Sequence, residues 1–296
     1  MAQVRALCHI ASAGLANGVF MEPQERRAKG PDWGRPSGEL DSMAYLSEVD
    51  AAAAAIEQHK SFVCGVKIRL GSSLADNGVN EAAAYERARA LAAAVDMPLM
   101  LDKRTLSAFT CRQPERRLRI RTHHTGSSVP IAGPGGCPSA LRSGDLYTHC
   151  FNGTMIEDGH VAQSFHEARE RGVLFDVGHG QGSFRWTVAE RAAAEGFLPD
   201  IISSDMHVGG VNGIVYDQPT CLTKFLAMGM PLRDVIRAST ATPAAALNLR
   251  DSAGRLLGSL GVGAEADIAV FDLESVDVSL EDTCATRAPP SYLWLT

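Results

Sequence analysis

Lysine, histidine and aspartate side chains that can bind a metal recur where the sequence predicts strands to end. The candidates in chain order are Lys67, His123, His149, His179 and Asp205. Neutral imidazoles bind divalent metals, and a carboxylate can both bind a metal and accept a proton from the water that the metal activates. This combination of residue types predicts a metal-dependent hydrolase.

Each candidate residue could also have a purely structural role. Lys67 lies in the apolar segment FVCGVKIRL, where an ammonium group is costly to bury. The side chain could be carboxylated by carbon dioxide and become an anionic metal ligand, or it could form a salt bridge at a barrel rim. Composition alone favours the salt bridge. His179 could likewise be an ordinary loop histidine, and Asp205 could be a helix cap.

The stretch 173–217 places two of the candidates in a strand, helix, strand order. The apolar run 173–177 stops at Gly178-His179-Gly180, residues 186–197 have helical spacing, and the short apolar run 200–204 precedes Asp205. Active sites of (β/α) barrels lie at the carboxyl ends of successive strands. The order of these segments therefore predicts that His179 and Asp205 lie at one barrel mouth.

The rest of the chain continues this alternation. Strands are predicted at about 3–10, 62–70, 118–123, 145–150, 173–178 and 200–205. Helices are predicted at 50–58, 81–95, 163–171, 186–197, 219–228 and 231–239. Apolar strands that alternate with helices of this length indicate a parallel sheet with helical crossovers. The pattern predicts an α/β protein with six strands of a (β/α)-barrel type.

One basic segment interrupts the pattern. Residues 102–121 contain seven of the 28 lysine and arginine residues and have no regular apolar period. They separate the apolar run 99–101, which starts another strand, from His123. The segment is interpreted as a solvent-exposed insertion near 101–122, with an anion-binding surface loop as the alternative.

Composition limits the partners and the compartment. The formal net charge of −6 argues against a nucleic-acid-binding face, and no apolar run is long enough for a membrane span. The seven cysteines have no Cys-x-x-Cys spacing and are interpreted as reduced thiols. We therefore expect a cytoplasmic protein that binds neither nucleic acid nor membrane.

Several longer motifs carry a resemblance. They are GVKIRL at 65–70, THCFNGT at 148–154, VLFDVGHGQGSF at 173–184, SSDMH at 203–207, the segment 216–249 and GSLGVGAEADIAVFDLE at 258–274. The sequence resembles the amidohydrolase superfamily, in the bacterial amidohydrolase/deacetylase branch related to dihydroorotases and D-aminoacylases. The resemblance implies an incomplete (β/α)8 barrel over 1–254, containing about strands three to eight. It implies a remnant of a small β-sandwich over 255–296.

The resemblance implies a role for each candidate metal ligand. Lys67 would be carboxylated and bridge two metals, with His123 and His149 completing the ligands of the second metal. Asp205 would bind the first metal and act as the general base on the hydrolytic water. Zinc would be the metal, with one or two ions per chain, and another divalent ion is an alternative.

The resemblance also implies a substrate pocket. His179 would face the substrate, and Gly178 and Gly180 would line the same pocket. The expected substrates are small molecules with an amide or ester bond, such as N-acyl amino acids, cyclic amides or acetylated hydroxy acids. Assembly into a homo-oligomer is a further expectation.

One motif of the resembled family is absent from the sequence. The family begins with a strand that carries a His-x-His pair, and this chain contains no His-x-His. We therefore interpret the sequence as N-terminally truncated and expect weak or mononuclear metal binding. The alternative is a non-catalytic relative that acts only as a binding or oligomerisation module.

Overall fold

The structure, a computed structural model, describes residues 4–12, 39–103, 127–131, 133–207, 210–211, 213–284 and 294–295. The chain divides into two compact units. The N-terminal unit comprises residues 3–107 and 120–141, and the C-terminal unit is formed mainly by residues 142–296. The domain boundary predicted at 254/255 stays a prediction.

Parallel strands with helical crossovers form the N-terminal unit. Its elements are β1 (Ala6–His9), α1 (Val49–Gln58), β2 (Val63–Leu70), α2 (Glu81–Ala94) and β3 (Leu99–Lys103). Strand β2 lies between β1 and β3, and both pairings are parallel. The strands predicted at 3–10 and 62–70 are confirmed, and the run at 99–101 is the start of β3.

Apolar periodicity explains why these segments pack together. Val66, Ile68 and Leu70 alternate along β2 and are fully buried. Helix α2 is rich in alanine, glutamate and arginine, which favour helices, and it buries a stripe that includes Ala84 and Leu91. The strand period of 2 and the helix period of about 3.6 therefore bury one side of each element against its neighbours.

A buried carboxylate cross-links the first two strands of this unit. Arg69 on β2 donates from Nε and Nη2 to the two carboxylate oxygens of Glu39, at 2.8 and 2.6 Å. His9 Nε2, at the end of β1, lies 3.2 Å from Glu39 Oε1. Burial raises the pKa of Glu39, but the hydrogen bonds from His9 and Arg69 outweigh it and lower the pKa to about 2. These contacts give Arg69 and His9 structural roles.

The C-terminal unit contains a second set of parallel strands. Its elements are β4 (Leu146–Thr148), β5 (Ile156–Glu157), β6 (His160–Val161), α3 (Gln163–Glu170), β7 (Leu174–Phe175), α4 (Trp186–Ala194), α5 (Gln218–Ala227), α6 (Leu232–Ser239), α7 (Ala241–Ala246), β8 (Leu273–Glu274) and β9 (Trp294–Leu295). Strand β4 pairs with β7 in parallel, which confirms the predicted strands at 145–150 and 173–178. The pairs β5–β6 and β8–β9 are antiparallel.

The strand predicted at 200–205 is shorter than expected. It is represented by one parallel bridge between Asp176 and Ile201. Beyond that bridge, Gly178 and Gly180 adopt positive φ angles of 46° and 50°. Such left-handed backbone cannot continue a strand, although His179 N still donates to Ser203 O at 3.0 Å. The two segments therefore stay hydrogen-bonded beyond the bridge, but they no longer pair as strands.

The predicted sandwich remnant stays a prediction. Within the described range 213–284, residues 258–272 form no strand, and pairing begins only at β8. Leu260 and Val270 in this range are 81% and 87% exposed. An apolar β-forming segment needs a partner strand to bury its side chains, and these residues contact none in the described part of the chain.

Aromatic side chains fill the core of the C-terminal unit. One cluster contains Tyr147, Phe165, Phe175 and Phe197, and a second contains Phe151, Phe184, Trp186 and Phe225. A segment at residues 280–283, here named the C-terminal strap, covers the second cluster. Trp186 donates from Nε1 to Leu280 O at 2.8 Å and from its backbone N to Asp282 Oδ2 at 3.0 Å. The strap thereby fixes the start of α4.

Two further findings concern the expected compartment. Cys8, Cys64, Cys137, Cys150 and Cys221 are free thiols, whereas Cys284 is disulfide-bonded, so the expectation of reduced thiols is wrong for Cys284. In the described ranges, every helix is too short or too polar to cross a bilayer.

Candidate active site

His149 and Asp205 face each other at the carboxyl ends of neighbouring chain segments. His149 directly follows β4, and Asp205 lies four residues after Ile201. Their Nε2 and Oδ2 atoms are 3.9 Å apart. Both residues have left-handed backbone, with φ of 60° and 43°. Such angles are uncommon outside glycine, so the surrounding structure must hold both residues in place.

Gly178 determines which nitrogen of His149 can act as a ligand. His149 Nδ1 lies 2.5 Å from Gly178 O. A carbonyl oxygen can only accept, so Nδ1 carries the proton and Nε2 of the neutral ring keeps its lone pair. A Cβ atom on Gly178 would lie 2.7 Å from His149 Nδ1. Position 178 therefore requires glycine both for its φ angle and for this close approach.

Glycine is required at position 180, beside Asp205, for the same two reasons. Its φ angle is 50°, and an added Cβ would lie 2.6 Å from Asp205 Oδ2. Gly180 N also donates to Ser204 O at 2.9 Å, which brings the turn at 178–180 against the segment that carries Asp205. The missing side chain of Gly180 is what leaves room for the Asp205 carboxylate.

A buried aspartate that sequence reasoning missed ties these segments together. Asp176 accepts from Thr148 Oγ1 at 2.6 Å and from Ser203 Oγ at 2.7 Å. Ser203 Oγ in turn accepts from Gly178 N at 3.2 Å. Asp176 thus positions the residue before His149 and a residue two places before Asp205. The signal in the sequence is a carboxylate inside the apolar run VLFDV.

His179 is fully buried, and both of its ring nitrogens are engaged. Its ring stacks on Phe184 with 4.8 Å between centroids and an interplanar angle of 16°. Nδ1 lies 2.9 Å from Gly180 O, and Nε2 lies 2.7 Å from Nζ of Lys224. Lys224, on α5, is also fully buried. Sequence reasoning missed Lys224, although a lone lysine in the apolar run TCLTKFLAM marks it.

Burial sets the protonation of this pair. Burial, with a smaller contribution from the Lys224 ammonium, lowers the pKa of His179 to about 3, although the hydrogen bond to the Gly180 carbonyl acts to raise it. Burial also lowers the pKa of Lys224, to about 8, while Cys221, Asp282 and Glu281 raise it. At pH 7, His179 is therefore neutral and Lys224 is mostly an ammonium ion.

Sequence comparisons match the chain to one protein family and to two deacetylases. The model of the Amidohydrolase family matches residues 181–294. A deacetylase from Enterococcus faecalis is 30% identical over 254 residues, which cover 82% of this chain and 60% of that protein. A deacetylase from Agrobacterium fabrum is 39% identical over 147 residues, which cover 48% of this chain and 35% of that protein. The match thus spans between about a third and 60% of these relatives' lengths.

Two solved structures have the same fold. An adenine deaminase matches with a TM-score of 0.69 and 26% identity, covering 87% of this chain and 64% of that chain. A dihydroorotase matches with a TM-score of 0.68 and 24% identity, covering 88% of this chain and 63% of that chain. In sequence and in fold, the chain is therefore similar to members of the amidohydrolase superfamily. Its fold is an incomplete (β/α)8 barrel, as the alternation of strands and helices predicts.

The donor atoms of His149 and Asp205 fit half of a metal site of the kind that this superfamily suggests. Zinc lies about 2.0–2.1 Å from histidine nitrogen and about 2.0–2.2 Å from carboxylate oxygen, so one ion can contact two donors that are 3.9 Å apart. Across the part of the chain that the structure describes, no group of three or more His, Cys, Asp or Glu residues could hold a metal. Further ligands are therefore needed to complete the site.

The structure brings together five of the predicted site residues. His149, His179, Asp205, Gly178 and Gly180 come together in the C-terminal unit. Lys67 lies on β2 of the N-terminal unit, half-buried and in register with His9 and Met100. His123 lies outside the described residues. The metal-binding roles of Lys67 and His123 stay predictions.

The stability of the protein should depend on pH through His179. Its pKa is about 3 in the folded chain against 6.5 when unperturbed. The unfolded state therefore binds more protons between these values, so stability falls as pH decreases from 6.5 towards 3. We expect His179→Gln to reduce the slope of the unfolding free energy by up to about 1.4 kcal/mol per pH unit. Urea titrations at several pH values between 7 and 4.5 measure the unfolding free energy and hence this slope.

The exposed His59 provides the control for this measurement, because His59→Gln removes an imidazole at the surface. The slope of that variant should match the wild type. A His179→Gln slope equal to that of the wild type would contradict a buried, neutral His179.

Proposed function

We propose that this chain provides the catalytic part of a metal-dependent hydrolase that cleaves amide or ester bonds in small molecules. The observation that carries the proposal is the pair of His149 Nε2 and Asp205 Oδ2, 3.9 Å apart at the strand ends. The names of the deacetylase relatives support acyl groups as the part removed. N-acyl amino acids, acetylated hydroxy acids and cyclic amides are the proposed substrate classes.

The resemblance implies different metals for His149 and Asp205, but their 3.9 Å separation would let one divalent ion bind both side chains. Zinc is favoured because nitrogen and carboxylate oxygen suit it. A divalent metal bound there would polarise a carbonyl group and make a water molecule more acidic. The metal-binding roles of Lys67, as a carboxylated lysine, and of His123 stay predictions from the sequence. The proton on His149 Nδ1, held by Gly178 O, keeps Nε2 available for the metal.

Asp205 is proposed as the general base. Its side chain is 48% exposed, so water and a small substrate can reach the carboxylate. A carboxylate can accept the proton of the attacking water and transfer it to the leaving nitrogen or oxygen as the acyl bond breaks. Gly180 keeps the carboxylate in position by leaving the space beside Oδ2 open.

The turn at 178–180 is proposed to form one wall of the substrate pocket. Gly178 and Gly180 have no side chains, so a small acyl group could approach their backbone. Both ring nitrogens of His179 are already hydrogen-bonded. The proposed contact of His179 with the substrate would therefore require one of these hydrogen bonds to break. Assembly into a homo-oligomer stays a prediction.

Metal removal tests the proposal. We expect the zinc-loaded chain to hydrolyse at least one of three probes: an N-acetyl amino acid panel and an O-acetyl 2-hydroxy acid panel, both followed by acetate release, and a panel of cyclic amides, followed by ring opening. Chelation should reduce the rate by at least about tenfold, because the metal supplies the polarising charge, and added zinc should restore it. His149→Ala should lower both zinc content and rate.

His160→Ala is the matched control, since it removes a histidine from the same unit away from the site. Hydrolysis that is insensitive to chelation would contradict the metal-dependent mechanism. A folded, zinc-loaded chain without hydrolysis of any probe would favour the second candidate function, a non-catalytic binding module.

A further inference from the structure

Lys224 makes three hydrogen bonds from a fully buried ammonium group. Nζ lies 2.7 Å from His179 Nε2, 2.7 Å from Glu281 O and 3.0 Å from Ile214 O. An ammonium group has three N–H donors and no acceptor, so these partners use its full capacity. Its face contact with Phe184, 5.3 Å from the ring centroid, adds a cation–π attraction.

These bonds fix the direction of a longer hydrogen-bond chain. Because the ammonium of Lys224 only donates, Nε2 of His179 must accept. The proton of the neutral imidazole is then on Nδ1, which donates to Gly180 O at 2.9 Å. The chain therefore runs from Lys224 through His179 to the backbone of Gly180.

The end of this chain is the turn that contacts both His149 and Asp205. Gly178 O accepts from His149 Nδ1, and Gly180 N donates to Ser204 O beside Asp205. The Gly180 Cα approaches Asp205 so closely that a side chain has no room. A rotation of the turn would therefore change the positions of both candidate metal ligands.

The other two bonds of Lys224 anchor it to separate segments. Ile214 belongs to the loop before α5, and Glu281 belongs to the C-terminal strap. The ammonium thus joins the loop, the strap and the turn within one unit. A lysine suits this position because its compact charge has three donors that can point to three separate acceptors, whereas a methionine of similar length has none.

We propose that Lys224 is a positioning residue. Its hydrogen bond to Nε2, together with the bond from Nδ1 to Gly180 O, holds the His179 ring in place and thereby holds the turn at 178–180 against His149 and Asp205. The effect on metal binding rests on the proposed function, whereas the tautomer of His179 does not.

The tautomer can be read directly in metal-free protein labelled with ¹⁵N-histidine. In the wild type at pH 7, we expect His179 to show a protonated Nδ1 and an unprotonated Nε2 in two-bond ¹H–¹⁵N spectra. His179→Gln identifies its signals by their loss. Lys224→Met removes the donor to Nε2 but leaves Gly180 O to accept from Nδ1, so the Nδ1–H form should persist while the ¹⁵N shift of Nε2 moves towards that of a nitrogen without a hydrogen bond. Lys224→Arg should restore part of the Nε2 shift because the guanidinium also donates. Lys60→Met, at a lysine that is 67% exposed, should leave the spectrum unchanged.

Zinc affinity by calorimetry is the second measurement on the same variants. Removal of residues that orient metal ligands costs about 10–100-fold in metal affinity, and we expect Lys224→Met to weaken zinc binding within that range. Lys60→Met should bind zinc as the wild type does.

Three results separate this proposal from the proposed function. An Nε2–H tautomer in the wild type would overturn the proposal, and this test needs no variant that might fail to fold. An unchanged Nε2 shift and unchanged zinc affinity in Lys224→Met would also overturn it, because the lysine would then only fill space. An Nε2 shift that responds to Lys224 in a chain that binds no zinc would support the positioning of the turn and contradict the proposed metal-dependent function.

Discussion

Asp205→Asn is expected to lower kcat/KM for acyl hydrolysis by about 10²–10⁴-fold in the zinc-loaded chain, which is the usual contribution of a general base. Asparagine has nearly the same shape as aspartate and tolerates the left-handed backbone that this position requires, with φ of 43°. The fold should therefore survive the change while proton transfer is lost. Initial rates of acetate release at pH 7.5 give the comparison.

Asp158→Asn is the control for this variant. Asp158 is exposed and also has a left-handed φ, of 50°, but it lies in the β5–β6 turn. Its activity should equal that of the wild type. Zinc content measured on both variants separates loss of a ligand from loss of the base. A rate for Asp205→Asn within tenfold of the wild type, with zinc bound, would rule out Asp205 as the general base.

Gly180→Ala is expected to disrupt the site without changing any polar group. The new Cβ would lie 2.6 Å from Asp205 Oδ2, so the carboxylate or the turn must move. The left-handed φ adds a conformational cost of about 1–2 kcal/mol. We expect zinc affinity to fall by at least about tenfold, because a displaced carboxylate no longer shares an ion with His149. Calorimetric zinc titration and urea unfolding measure the two effects.

Gly196→Ala separates the two contributions. Gly196 has a φ of 74°, and an added Cβ there meets no atom within 4 Å. This variant should lose stability only through the conformational cost of its left-handed backbone, and it should bind zinc as the wild type does. Equal zinc affinities in the two variants would show that the contact between Gly180 and Asp205 does not position the carboxylate.

Much of the fold follows from the sequence because its signals are local. The run 62–70 and the run 145–150 are apolar, β-branched or aromatic, and each becomes a parallel strand. Helix α2 is recognisable from its alanine, glutamate and arginine content. The positions of His149 and Asp205 follow from the rule that barrel sites lie at the carboxyl ends of strands.

The remaining features depend on contacts between distant parts of the chain. Lys224 meets His179 across 45 residues, and Asp176 meets Thr148 across 28. No local pattern indicates which buried polar group will pair with which partner. The strand expected at 200–205 shows the opposite case, in which a local pattern is present but the backbone of a neighbouring segment prevents the predicted strand. Its apolar residues predict a strand, but the positive φ angles of Gly178 and Gly180 end the pairing after one bridge.

The most direct test of the central claim is a crystal of the zinc-loaded chain measured at the zinc absorption edge. We expect an anomalous peak about 2.0–2.2 Å from both His149 Nε2 and a carboxylate oxygen of Asp205. The peak should be absent from a crystal of His149→Ala prepared in the same way. A zinc ion bound elsewhere, with His149 and Asp205 free of metal, would contradict the proposed site.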